Sequence, residues 1–224
     1  MTLSIIGRCS KTGQMGIAIS SSSIAVGARC PWLRSKVGAV STQNITLPAL
    51  GPRILDRLQQ GATAETALKA GLDTDDYAAW RQVTVMTTDG QSAFYSGEKT
   101  LGVNNALSGE NCVAAGNLLA NPDVIAAMVQ AFEQRSGHLA DRLIAAMQAG
   151  MSAGGEAGLV HSAALSIVDS PVWPIVDLRV DWTDADPIDE LNKLWQAYQP
   201  QMQDYITRAL DPTQAPSYGV PGDE

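Results

Sequence analysis

Glu156 and His161 stand out first as residues whose types and spacing suggest chemistry. They follow Gly154 and Gly155 in GGEAGLVHS, where two glycines break a helical pattern and leave a loop to present side chains. A glutamate there can accept a proton or orient an ammonium group. A histidine titrates near neutrality, so both suit acid/base work. The default for His161 is nevertheless a satisfied ring at the start of a strand. A second set of groups lies in IAISSSSIA, where Ser21, Ser22 and Ser23 crowd the end of an extended segment. Aligned hydroxyls can line a polar pocket or donate to an oxyanion. Small residues equally allow sheets to approach closely, and packing is the preferred reading. A serine of this run with His161 as base would make an internal nucleophile, but no GxSxG elbow supports it.

Other constellations are weaker. His138 and Asp141 are three apart on a helix and supply two metal ligands at most, and HExxH is absent. Cys9, Cys30 and Cys112 contain no CxxC pair and read as small buried hydrophobes in a reducing compartment. No GxGxxG or P-loop stands between a strand and a helix, so neither a metal nor a nucleotide cofactor is expected.

The whole composition narrows the partners. The chain has 224 residues with 45% hydrophobic and 17% charged, which fits a folded domain with its own core. A formal net charge of -8 opposes binding to phosphate backbones, so nucleic acid is not an expected partner. No apolar run approaches the ~20 residues a bilayer span requires, and the start carries no basic-then-apolar leader. A cytoplasmic protein that binds a small molecule is the expectation.

Elements that must position these residues can be read from pattern. TLSIIGR, the turn KTGQ and MGIAISSS form a first hairpin, and VGAVSTQN is a third extended run. Asp89-Gly90 between QVTVMTT and QSAFYSG predicts a type I′ hairpin. Thr63 caps AETALKA. Asn121 caps a helix with Pro122 at its first position, and Val124, Met128 and Phe132 form its buried stripe. Leu139, Leu143 and Met147 repeat that stripe in the next helix. After the strand pair HSAALSIVD and PIVDLRV, Asp186 and Pro187 open a helix with Ile188, Leu191, Trp195 and Tyr198 on one face; Pro200 then interrupts it. Strands first, helices in the middle and a late strand pair imply antiparallel sheets covered by helices, an α+β fold.

Five stretches carry a family resemblance: TLSIIGR with MGIAISSS, PWLRSKVGAVSTQN, AAGNLLANPDVIAAM, the GGE loop with HSAAL, and VDLRVDW. Together they resemble the domain of unknown function 1028 family, grouped with N-terminal-nucleophile (Ntn) hydrolase-like folds. The resemblance implies a four-layer αββα sandwich over residues 1–210, followed by a Pro/Gly-rich tail at 211–224. It also implies the general Ntn design, in which a terminal Thr, Ser or Cys attacks an amide through its side chain while its α-amine serves as base. Removal of Met1 would place Thr2 in that role, although threonine is also an ordinary way to begin a strand. Ntn sites draw donors from the ends of the second and third strands, which implicates Ser21, Ser22, Ser23, Thr42 and Asn44. Lys36, ahead of the third strand, could depress the amine's pKa or be a solvated turn charge. The function expected is hydrolysis of a small amide or related C–N bond. The alternative is a non-catalytic small-molecule-binding or assembly protein on the same fold. The aromatic final helices and the tail suit contact with a second copy, so a homodimer is expected.

Overall fold

The computed structural model describes residues 2–219. Among the described residues ten strands follow in order: β1 Thr2–Arg8, β2 Met15–Ser21, β3 Pro31–Arg34, β4 Gly38–Asn44, β5 Arg81–Thr87, β6 Ser92–Ser96, β7 Asn105–Gly109, β8 Cys112–Asn117, β9 Ser162–Val168 and β10 Val176–Val180. The same residues include six α-helices: α1 Leu50–Gln59, α2 Ala64–Leu72, α3 Asp123–Gln134, α4 Leu139–Ser152, α5 Pro187–Tyr198 and α6 Met202–Leu210. One sheet has the order β10-β9-β2-β1-β8-β7 and the other β3-β4-β5-β6, with antiparallel neighbours throughout.

Alternation along each strand decides what lies on either side of it. On β1, Leu3 and Ile5 join the buried stripes of α3, α4 and α5, while Ile6 packs with Ala39 and Met86 of the opposite sheet. On β4 and β5, Val40, Val83 and Val85 turn the other way, onto α1 and α2. The result is the four-layer αββα sandwich that the family resemblance implies: helices, sheet, sheet, helices. No helix among the described residues is long and apolar enough to cross a membrane.

Most local signals act as read. Thr63 accepts from the Thr66 N–H at the start of α2, and Asp186 accepts from Ile188 and Asp189 at the start of α5. The chain passes from α5 through a short 3₁₀ turn at Gln199–Gln201 into α6, the interruption expected at Pro200. Asn121 caps α3 through its side chain onto the Asp123 N–H at 2.9 Å, but the helix proper begins at Asp123, one residue beyond the proline. The β5–β6 connection differs from expectation. Gly90 has φ 93° while Asp89 stays out of the positive region, so a type I′ turn does not form. The Gly90 N–H bonds to the Thr87 carbonyl and the Thr87 N–H to the Gln91 carbonyl, a three-residue loop in which only glycine needs the left-handed conformation.

Candidate functional site

The space between the sheets is divided along the strands. At one end it holds Ile6, Met15, Ile17, Ala39, Met86, Val113 and Val168. At the other, the same alternating positions carry Thr2, Ser4, Ser21, Ser41, Gln43, Gln82 and Asn117, all buried. Burying amides and hydroxyls is costly unless they bond to one another, and here they do. Ser41 donates to Ser4 Oγ (3.3 Å), Ser4 to Gln43 Oε1 (2.7 Å), and Gln43 Nε2 to Gln82 Oε1 (2.8 Å). Asn117 Nδ2 also donates to Gln82 Oε1, at 3.1 Å.

One backbone group fixes the direction of this chain. Gln82 Nε2 reaches the Gly116 carbonyl at 3.0 Å, and a carbonyl only accepts. Gln82 Oε1 must therefore take both incoming N–H groups. Asn117 then turns its own Oδ1 away, buried and without a hydrogen-bond partner.

Thr2 opens β1 at this polar end. It pairs across the sheet with Ser21 of β2 on one side and Asn117 of β8 on the other. Its Oγ1 lies 3.2 Å from Ser21 Oγ, which also accepts from the Ser23 N–H at 3.1 Å. The sequence thus brings Thr2, Ser21 and the backbone of Ser22 and Ser23 together, through the register of the first hairpin. Ser162 secures the loop that follows β2, donating to the Ser23 carbonyl (2.5 Å) and accepting from the Val26 N–H (3.2 Å).

Glu156 closes the same end. Gly154 and Gly155 sit at φ 126° and 62°, conformations that side chains resist, and they turn the chain back after α4. Beyond β8, Leu118 takes φ 50°, and Leu119 and Glu156 meet in an antiparallel bridge held by Ala120 N–H to Gly155 O and Ala157 N–H to Leu118 O. Glu156 is 5% exposed, and neither carboxyl oxygen has a hydrogen-bond partner. Burial pushes its pKa up to about 8, against the pull of the positive chain N-terminus and of the Ser22 N–H, which stops short of a hydrogen bond. Near neutral pH this group holds a proton.

The remaining sequence candidates fall elsewhere. The His161 N–H bonds to the Ser21 carbonyl, but its ring turns outward: Nδ1 is 2.9 Å from the Thr183 carbonyl, Asp184 stands 3.8 Å away, and Trp182 stacks on it at 4.3 Å. A ring nitrogen facing a carbonyl carries the hydrogen, which leaves Nε2 as the acceptor of the neutral ring. Thr42 faces the helix side of β4 and bonds to Thr46 Oγ1 at 3.1 Å. Asn44, at φ 70°, donates to the Trp80 carbonyl and accepts from the Leu101 N–H, clamping loops rather than facing the inter-sheet space. Lys36 stands in the β3–β4 turn at the apolar end, a strand's length of roughly 20 Å from Thr2. It lines an open cleft of about 590 Å³ with Thr88 and Gln91. Lys36 is therefore no neighbour of Thr2 and has the solvated-turn role.

His138 caps α4 by accepting from the Ala140 N–H and stacks on Trp195, whose Nε1 donates to Asp141. That pair is structural. Among the described residues no three His, Cys, Asp or Glu side chains converge as a metal site. Sequence reasoning missed Ser4, Ser41, Gln43, Gln82 and Asn117. The available signal was their parity: each stands in step with the inward-facing apolar residues of its strand.

The fold is a four-layer αββα sandwich with Thr2 at the head of its first strand. The chain belongs to the family of unknown function DUF1028, whose model matches residues 2–191. A DUF1028 protein from Silicibacter pomeroyi is 28% identical, with a TM-score of 0.85 over 91% of this chain and 89% of that one. Anbu, the ancestral beta-subunit, from Yersinia bercovieri is 11% identical, with a TM-score of 0.41 over 97% of this chain and 100% of that one. The Anbu Gly-1 mutant from Hyphomicrobium sp. strain MC1 is 10% identical, with a TM-score of 0.42 over 98% and 100%. No match is found among curated proteins.

Proposed function

We propose that this protein hydrolyses a small amide or related C–N bond, with Thr2 as nucleophile once processing releases its α-amine. The observation that carries the reading is the position of the Thr2 hydroxyl, buried on Ser21 Oγ at the head of β1. In the reaction, Thr2 Oγ1 bonds to the carbonyl carbon as its proton passes to the α-amine. The C–N bond then breaks, that proton leaves with the departing amine, and water hydrolyses the resulting ester. The Ser21 hydroxyl and backbone N–H groups after β2 are the nearest donors for the transient oxyanion. This chemistry requires no cofactor.

The test is intact mass and peptide mapping of untagged protein from its natural host, before and after an amide-directed electrophile. A chain beginning at Thr2, with an adduct on that residue that disappears in Thr2→Ala, is the expected result. A chain that retains Met1 and takes no adduct refutes the hydrolase and leaves a small-molecule-binding protein on the same scaffold.

A further inference from the structure

Two buried groups flank the head of β1 and share one deficiency. Asn117, directly across from Thr2 on β8, has an unpartnered Oδ1 and is 1% exposed. Glu156, bridged to Leu119 just past the end of the same strand, has two unpartnered oxygens. The Ser22 N–H, just past the end of β2, also bears on Glu156, so the carboxyl lies across the top of β1 from both neighbouring strands. All three orphaned atoms are acceptors as a carboxylate presents them. A buried acceptor without a donor costs about 1–3 kcal/mol, more when charged, so this cluster calls for a compact group rich in N–H. An α-ammonium offers three such donors in one place.

We propose that Glu156 and Asn117 form the seat of the Thr2 α-ammonium, with Glu156 as its counter-charge and a positioning residue for the amine. The inference rests on the Thr2 reading above and deepens it. Other titratable groups on the surrounding segments are otherwise engaged. His161 is held on the Thr183 carbonyl beside Asp184, and Asp123 stands at the N-terminus of α3, where Asn121 caps the first turn. No lysine, arginine or histidine among the described residues forms an ion pair with Glu156. One proton then serves the pair: ammonium with carboxylate, or amine with carboxylic acid.

The experiment is trace acylation of the Thr2 α-amine in the processed chain across pH 5 to 10. It reads the amine's protonation without requiring turnover. Removing an opposite charge within a few ångströms lowers an amine's pKa by about one unit or more. The acylation midpoint should therefore fall by that amount in Glu156→Gln, and equally in Glu156→Met, which leaves a second reading should one variant fold poorly. Midpoints that coincide in the wild type and both variants overturn the pairing alone. A shifted midpoint in a chain that no electrophile modifies at the Thr2 hydroxyl keeps the seat and refutes the hydrolase. A natural chain that retains Met1 overturns both.

Discussion

The two ends of the inter-sheet layer use the same strands for opposite purposes. At the end bearing Ile6, Ile17 and Met86, alternate positions interlock as apolar side chains, and burial alone stabilises the contact. At the end bearing Thr2, Ser4, Gln43, Gln82 and Asn117, the same positions trade that stabilisation for a chain of hydrogen bonds that ends in an unsatisfied acceptor. One end therefore anchors the two sheets, and the other keeps polar groups in fixed positions under low solvent exposure. The fold separates apolar packing from polar bonding along the length of a strand.

That division can be broken from either end. The largest effect is expected at the apolar end: Ile17→Ala should lower unfolding free energy by about 2–5 kcal/mol in denaturant titration, while electrophile labelling of Thr2 in the folded fraction is unchanged. Loss of labelling at preserved fold would mean that the ends are coupled. Next, stability should depend on Glu156. Its carboxyl is raised from 4.5 to about 8 in the folded chain, so the folded state holds a proton that the unfolded chain releases above pH 4.5. In the chain that retains Met1, the contribution of Glu156 is present below pH 4.5 and is lost as pH rises toward 8. At about 1.4 kcal/mol per unit, a few kcal/mol disappear across that window. Thermal melts of the wild type should show this decline, and Glu156→Gln should remove it. The smallest effect is expected for Lys36→Gly, which relieves a positive φ of 62° and should raise stability by up to about 1 kcal/mol without changing labelling. A slower reaction at Thr2 would tie the far turn to the site.

The sheets and helices were legible because their signals are local. Alternation, a capping threonine and a proline each act within a few residues. The buried polar cluster of the candidate site was legible only in part. Thr2, Ser21 and Glu156 came from a terminal position, a serine run and a glycine break, but the choice between Thr42 and Ser41, or Asn44 and Gln43, turns on which face of β4 meets the other sheet. That is a one-residue question of parity. It depends on β1 lying across β4, a contact between residues some 39 apart in sequence that VGAVSTQN does not encode. Asn117 was hidden for the same reason: its partners come from β1 and β5.

The stacked pair Trp182 and His161 gives this protein an optical property. The indole is 52% exposed and lies nearly parallel to the imidazole, with 9° between the planes. The His161 N–H is meanwhile tied to the carbonyl of Ser21, the residue beside Thr2. The two segments are also tied to each other, the Thr183 N–H to the His161 carbonyl and the His161 ring to the Thr183 carbonyl, which holds the stack beside the end of β2, and indole emission is sensitive to the ring it rests on. In a chain whose other tryptophans, Trp32, Trp80, Trp173 and Trp195, are replaced, emission from Trp182 reports on this stack next to the head of β1, readable without a substrate in hand.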